Sequence, residues 1–347
     1  MNRVQLIDAF DVLGKLMCLL GEGKEWPGYS CGLTEEEYQS MNVLINRQVT
    51  FNGWFTPQNV RQSLNALGSQ LTVGNLSNWT ANYQYTDQPK KVALIMAGNI
   101  PLVGFHDFLC VLLSGHSVVA KVSSDDKQLL PALVSHLLKF EPDLTERIKI
   151  TEGKIGEVGA VIATGSDNSA LYFEQYFGKY PHIFRKNRTS IAVLDGTETS
   201  EQLHQLGHDI FDYFGLGCRN VSHLLIPLNF DLNKFFEAIV PFGEIAHHHK
   251  YANNYDYNKA VYLLNKVDLL DNNFVLLRET EELFSPLGMI HYHRYASLEE
   301  VNIYIDRNNE KIQAVIGNAH IPFGAAQCPS LDDYADGVDT MAFLEKL

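Results

Sequence analysis

From about residue 90 the chain alternates short apolar, β-branched runs with longer segments of helical period. The runs at 92–96, 117–122, 148–151, 160–163, 191–194 and 224–226 have strand length, and the segments between them are long enough for helices. That alternation predicts parallel βαβ units and therefore a doubly wound α/β fold. Further strands are expected at 260–264, 274–277 and 289–293. Polar clusters mark helix starts: residues 123–126 before a run to about Phe140, Ser166-Asp167 before a run to about Phe177, and Thr199-Ser200-Glu201 before one toward Phe214. The first thirty residues read as an amphipathic helix. Residues 20–85, with Gly, Pro, Asn and Trp scattered without a period, read as mixed helix and loop. The Asp195-Gly196-Thr197 turn sets the expected domain boundary, giving domains over 1–195 and 196–317 and a short segment over 318–347.

Composition supports two globular domains and removes several functions. A chain of 347 residues is long enough for two domains at roughly 150 residues each. With 46% hydrophobic and 20% charged residues, it has the material for a packed core and not the composition of a disordered chain. Lys plus Arg number 27 against 41 Asp plus Glu, a formal charge of −14, so neither nucleic acid nor an anionic membrane is an expected partner. Acids at Asp8, Asp11 and Glu22 interrupt the first apolar pattern, and the uncharged stretch 92–106 is broken by Gly98, Pro101 and Gly104. Neither a signal peptide nor a membrane span is expected, and the location read from this is cytoplasmic. The 5 cysteines are scattered without a CxxC pair, which argues against disulfides and zinc. Adjacent imidazoles at His247, His248 and His249 cannot all reach one ion, so no metal site is expected. The sequons at Asn75, Asn78, Asn187 and Asn220 are read as chance occurrences.

One cysteine has a context that suggests chemistry. Gly215-Leu216-Gly217-Cys218 lies between an amphipathic helix and a strand, where a glycine-bearing turn lets a ligand approach the backbone. Free N–H groups and the neighbouring Arg219 would favour a thiolate there, although a buried structural thiol is the commoner reading of an isolated cysteine. Three further segments accompany it in order. Asn99-Ile100-Pro101 follows a strand and precedes Ser114 to Lys121, Gly165-Ser166 joins a strand to a helix start, and Glu282-Leu283-Phe284-Ser285-Pro286 forms an acidic turn with one aromatic.

Together these segments resemble the aldehyde dehydrogenase superfamily and, within it, the acyl-CoA reductases of the LuxC fatty-acid reductase type. The resemblance covers most of residues 90 to 345. It implies an aldehyde-dehydrogenase-like fold, with a doubly wound dinucleotide-binding domain in 1–195, a second α/β catalytic domain in 196–317, and residues 318–347 returning to the first domain or to an oligomer contact. It also implies Cys218 as nucleophile and the Asn99 amide with the Cys218 N–H as oxyanion hole. Lys121, Ser124, Gly165, Ser166, Glu282 and Phe284 would surround the dinucleotide. A soft thiolate attacking a thioester, two donors facing the oxyanion and a rigidly held nicotinamide are chemically consistent with those roles.

Departures from the superfamily pattern narrow the expectation. Where hydrolytic aldehyde dehydrogenases carry a glutamate base, this chain has Phe184 in Phe184-Arg185-Lys186-Asn187. A carboxylate is needed to activate water against an acyl-enzyme, and a thioester-exchanging reductase does without it. Ser124 replaces the acid that NAD-preferring relatives often place near the adenosine ribose, and Lys121 and Lys127 could pair with a 2′-phosphate. NADPH is therefore expected, with NADH as the alternative. Ser285 stands where the motif has glycine, and Arg185, Lys186 and Arg188 form a small basic cluster open to a CoA phosphate or to solvent. The expected function is NADPH-dependent reduction of a fatty acyl thioester to an aldehyde through an acyl-cysteine. The donor would be acyl-CoA or an acylated protein, with room for an acyl-protein ligase partner and a homodimer. Oxidation of free aldehyde and a catalytically silent acyl- or nucleotide-binding subunit stand as alternatives.

Overall fold

The computed structural model describes residues 2–165 and 167–347, with Asp167 described in its backbone alone. Two compact units are present, one of Met1–Lys186 with Ser330–Leu347 and one of Asn187–Pro329. The chain thus changes unit after Lys186, ahead of the Asp195 turn, and the strand that precedes the turn belongs with the second unit.

The first unit opens with helices α1 (Arg3–Gly21), α2 (Glu35–Phe51), α3 (Pro57–Gln70) and α4 (Val73–Thr80). Each begins at a side chain that accepts a backbone N–H: Asn2, Thr34, Thr56 and Thr72 respectively. Asn2 with Gln5 and Thr34 with Glu37 form reciprocal capping boxes. The span expected to mix helix and loop is therefore largely helical. Its apolar stripe is thin, since α2 buries only Tyr38, Met41, Ile45 and Gln48 among its described residues, which is why the period is hard to see.

After these helices come β1 (Lys91–Ile95), α5 (Phe105–Leu113), β2 (Ser117–Lys121), α6 (Leu129–Phe140), β3 (Ile148–Thr151), β4 (Ala160–Thr164), α7 (Asp167–Phe177) and β5 (His182–Arg185). The strands form a parallel sheet of order β3-β2-β1-β4-β5. The inner strands β1, β2 and β4 are apolar almost throughout because both faces are covered. Residues 123–126 do not cap α6. Ser123 Oγ instead accepts the Asp125 N–H at 3.2 Å in a local turn, and α6 starts at Leu129.

Arg185 corrects a sequence-based expectation. It does not face solvent as part of a phosphate-binding cluster: it is 3% exposed and makes a two-pronged contact with Asp107 of α5, Nη2 to Oδ1 at 2.6 Å and Nε to Oδ2 at 3.2 Å. Its remaining donors reach the Thr340 hydroxyl at 2.8 Å and the Ala335 carbonyl at 2.5 Å. The guanidinium therefore ties the C-terminal segment, with its helix Thr340–Glu345, onto the first unit's sheet. Tyr334 adds a second tie, accepting from Trp79 Nε1 at 2.9 Å and donating to the Tyr83 hydroxyl at 3.1 Å.

The second unit contains β6 (Thr189–Val193), α8 (Ser200–Phe211), β7 (Val221–Pro227), α9 (Leu232–Ile239), α10 (His249–Leu264), β8 (Leu270–Asp271), β9 (Leu276–Glu279), β10 (Met289–Tyr295), α11 (Leu298–Asn308) and β11 (Ile312–Ile316). Its sheet has the order β11-β6-β7-β10-β9-β8, parallel except for the β8–β9 pair. The strand expected at 260–264 is instead the end of α10. Tyr251, Tyr255 and Asn258 form that helix's buried stripe, and Leu264, at 84% exposed, has no core to enter.

Removing one partner of a buried ion pair leaves the other charge stranded, whereas removing both does not. Arg185→Ala is expected to lower unfolding stability by about 3 kcal/mol, and Arg185→Met combined with Asp107→Leu to recover most of that loss in urea titrations.

Candidate functional site

The turn that carries Cys218 is built from an unusual backbone. After α8 ends, Tyr213, Phe214 and Gly215 take φ of 52°, 60° and 77° in succession. Glycine accepts this region freely, while a side chain with Cβ pays roughly 1–2 kcal/mol for it. Asn220 holds the turn in place. Its Nδ2 donates to the Asp212 carbonyl at 2.6 Å and to Ile210 at 3.3 Å, and its Oδ1 accepts the Gly217 N–H at 2.8 Å. Ser190 on β6 donates to the Cys218 carbonyl at 3.0 Å. Cys218 is thereby fixed from both sides on a half-buried loop. Burial pushes the thiol of Cys110 well above its ordinary range, which keeps it protonated.

Sequence reasoning missed Asn220, which registered only as a sequon. At 2% exposure with its amide engaged, it is a structural residue of the turn and no glycan acceptor. An asparagine directly after a glycine-cysteine turn was the available signal, because its amide both donates and accepts within a short loop.

The Glu282–Pro286 turn lies in the same unit. Glu282 and Phe284 are exposed, Phe284 at 42%, and the Glu282 carboxylate pairs with Arg278 at 2.9 Å. Ser285 is accommodated in place of glycine, and its hydroxyl closes the turn on the Met289 carbonyl at 2.7 Å. A cavity of about 200 Å³ lies beside the Gly215-Leu216 turn, lined by Phe214, Leu216, Tyr251, Pro286 and Leu287 among others.

In the first unit, the motif residues gather at the carboxyl ends of β1, β2 and β4. The strand order reverses between β1 and β4, the switch point where doubly wound sheets bind ligands. Asn99 follows β1 and is exposed. Gly98 before it packs so closely that a Cβ there would lie 2.6 Å from Ser123 Oγ. Leu102, just after Pro101, has φ 59°, and its N–H donates to the Asp126 carboxylate at 2.7 Å. The Ser63 hydroxyl holds the Pro101 carbonyl at 2.7 Å. Lys121 ends β2 half-buried, and Ser124 is exposed on the loop beyond.

Gly165 follows β4 with bare backbone, since a Cβ would meet Ser169 at 2.8 Å and the Phe173 ring at 3.1 Å. Ser166 lies outside the described residues. Gly165 thus joins the end of β4 to the start of α7, while Lys121 and Ser124 lie at the carboxyl end of β2 on the other side of β1. Phe184 is on β5 with its ring stacked on His182 at 4.0 Å. His247 pairs with Glu244 and His248 stacks on Phe214, and the described residues hold no group of three metal-ligating side chains. No described helix is long and apolar enough to cross a membrane.

The fold is that of the aldehyde dehydrogenases. An indole-3-acetaldehyde dehydrogenase solved with NAD+ is similar over 93% of this chain and 75% of its own, at TM-score 0.59 and 13% identity. Aldehyde dehydrogenase 21 of Physcomitrella patens, solved with succinate, matches 100% of this chain and 84% of its own at TM-score 0.64 and 12% identity. The model of the acyl-CoA reductase (LuxC) family matches residues 32–227, and the chain belongs to that family. A long-chain acyl-protein thioester reductase of Aliivibrio fischeri is 21% identical over 260 residues, 66% of this chain. The chain spans about half that relative's length, 54%.

Burial raises the Asp126 carboxyl from 3.8 to about 6, against the lowering effect of the Leu102 and Leu129 N–H groups. A carboxyl whose folded pKa lies above its unfolded value binds more protons when folded, so its contribution to stability falls as pH rises from about 4 to 6 and stays low above that. Asp126→Asn keeps an oxygen for the Leu102 N–H and cannot ionise. It is expected to match the wild type near pH 4 and to exceed it by roughly 1–2 kcal/mol at pH 8 in urea melts; an unchanged difference across that range would contradict the assignment.

Proposed function

We propose that this protein reduces a fatty acyl thioester to an aldehyde through an acyl-Cys218 intermediate. The observation that carries this reading is Cys218 itself, fixed on a strained glycine turn in a chain of the acyl-CoA reductase family. The Cys218 thiolate attacks the thioester carbonyl, and the carbonyl oxygen becomes an oxyanion facing the Cys218 N–H and the Asn99 amide. Collapse expels the donor thiolate, which takes up a proton, and leaves the acyl group on sulfur. A reduced nicotinamide dinucleotide, when bound, supplies the hydride. Lys121, Ser124, Gly165, Ser166, Glu282 and Phe284 are the residues that would hold it. Cys218 then departs as thiolate and aldehyde is released.

Phe184 supports reduction over hydrolysis. A phenyl ring cannot activate water, so the acyl-enzyme is protected until hydride arrives. Uncharged Ser124 beside Lys121 favours NADPH over NADH, since it does not repel a 2′-phosphate. The apolar cavity beside the Gly215-Leu216 turn suits part of an alkyl chain. Donors of the reading are acyl-CoA or an acylated protein, the latter favoured by what the Aliivibrio fischeri relative's name says it acts on.

NADPH consumption with a chain-length series of acyl-CoAs is expected to yield aldehyde stoichiometrically, with at least a thousandfold loss in Cys218→Ala. Oxidation of free aldehyde by NADP+ without CoA, surviving in Cys218→Ala, would contradict the reading.

A further inference from the structure

Three successive carbonyls of the Glu282 turn are held by side chains and not by strand pairing alone. The Glu281 carbonyl accepts from the Tyr304 hydroxyl of α11 at 3.1 Å. The Glu282 carbonyl lies 3.0 Å from His223 Nδ1 on β7 and 2.8 Å from His291 Nδ1 on β10. The Leu283 carbonyl accepts from the Ser222 hydroxyl at 3.5 Å. The two histidines are register partners across the β7–β10 pair, so both rings reach one oxygen from adjacent strands.

A carbonyl only accepts, so each imidazole carries its proton on Nδ1 and both lone pairs of one oxygen are used. The opposite atoms, His223 Nε2 and His291 Nε2, are buried with no hydrogen-bond partner. Burial lowers the pKa of His223 to about 3 and also lowers that of His291, so both rings are neutral at physiological pH. Two buried acceptors left unpaired are not what a sheet interior selects for stability, where an apolar side chain would serve better. The pair makes sense as a clamp on the turn whose exposed side chains are Glu282 and Phe284.

We infer that His223 and His291 are positioning residues which, with Tyr304, fix the Glu282–Phe284 turn in the geometry that receives the dinucleotide. This rests on the reductase reading. The clamp acts on dinucleotide capture and leaves acyl transfer to Cys218 untouched, which separates it from a residue that only supports the fold. A clamp lost from a folded protein lets Glu282 and Phe284 wander, weakening cofactor binding while saturation restores the rate.

The test compares His291→Phe, His291→Asn and Tyr304→Phe with the wild type in steady-state kinetics and in NADPH fluorescence titration, with thermal melts as the folding control. His291→Phe is expected to raise the KM for NADPH about tenfold while kcat at saturation stays within about threefold. Asn presents an amide N–H near the position of Nδ1, so His291→Asn should restore most of the affinity. Tyr304→Phe keeps the ring and should raise the NADPH KM severalfold, which decides the question if His291→Phe does not fold. Folded variants with unchanged NADPH KM, or a loss that tracks only the unfolded fraction, would overturn the inference. A wild type that binds neither NADPH nor NADH would overturn the reductase reading instead. Long-range ¹H–¹⁵N spectra of the imidazoles then judge the clamp separately: Nδ1–H tautomers at both positions support it, and an Nε2–H tautomer at either overturns it.

Discussion

The backbone of the Cys218 turn depends on the Asn220 amide. Without it the backbone from Tyr213 to Gly215 would have no reason to remain left-handed, because two of those three residues carry aromatic side chains that disfavour the region. The amide nitrogen caps carbonyls at the end of α8 while the amide oxygen captures Gly217, so one short side chain joins the helix to the Cys218 turn. Backbone strain of this kind persists only where the surroundings over-determine it. The surroundings here include Asp209 one turn earlier, whose carboxylate accepts the Gly324 and Ala326 N–H groups at 2.7 and 2.9 Å and anchors α8 to the segment before Pro329.

The first unit solves the same problem in another way. Its loops follow parallel strands whose apolar faces leave little freedom below them, and the loop after β1 is pinned by buried polar groups. Asp126 and Ser63 fix the backbone just after Asn99, and the bare Gly98 lets the β1 and β2 loops touch. Rigid strands carrying short, hydrogen-bonded loops are the usual means of placing functional groups without fixing the whole surface. Arg185 shows the opposite use of a charge: it is buried, and its guanidinium binds the C-terminal segment to α5.

What was legible in the sequence follows from which forces are local. The runs at 92–96, 117–122 and 160–163 are strands because continuous apolar text between turns admits few alternatives, and α8 starts at the Thr199-Ser200-Glu201 cluster, with Thr199 as its N-cap. The threonine caps at 34, 56 and 72 were equally written in the text, but thin apolar stripes hid the helices behind them. The end of α10 was misread as a strand because Ala260-Val261-Tyr262 is β-rich locally while the helix is set by Tyr251 and Tyr255 further back. The motif residues could be named from their order along the chain. The groups that hold them, Asn220, Asp126, His223 and His291, could not, since a buried polar residue declares its partner only after strands distant in sequence have paired.

The central claim is a covalent bond between the acyl group and Cys218, and intact-protein mass spectrometry tests it most directly. Protein mixed with a long-chain acyl-CoA in the absence of any dinucleotide is expected to gain the mass of one acyl group, located on Cys218 by peptide mapping and discharged as aldehyde when NADPH is added. An unmodified protein that nevertheless makes aldehyde from acyl-CoA and NADPH, or an adduct on another residue, would contradict the account.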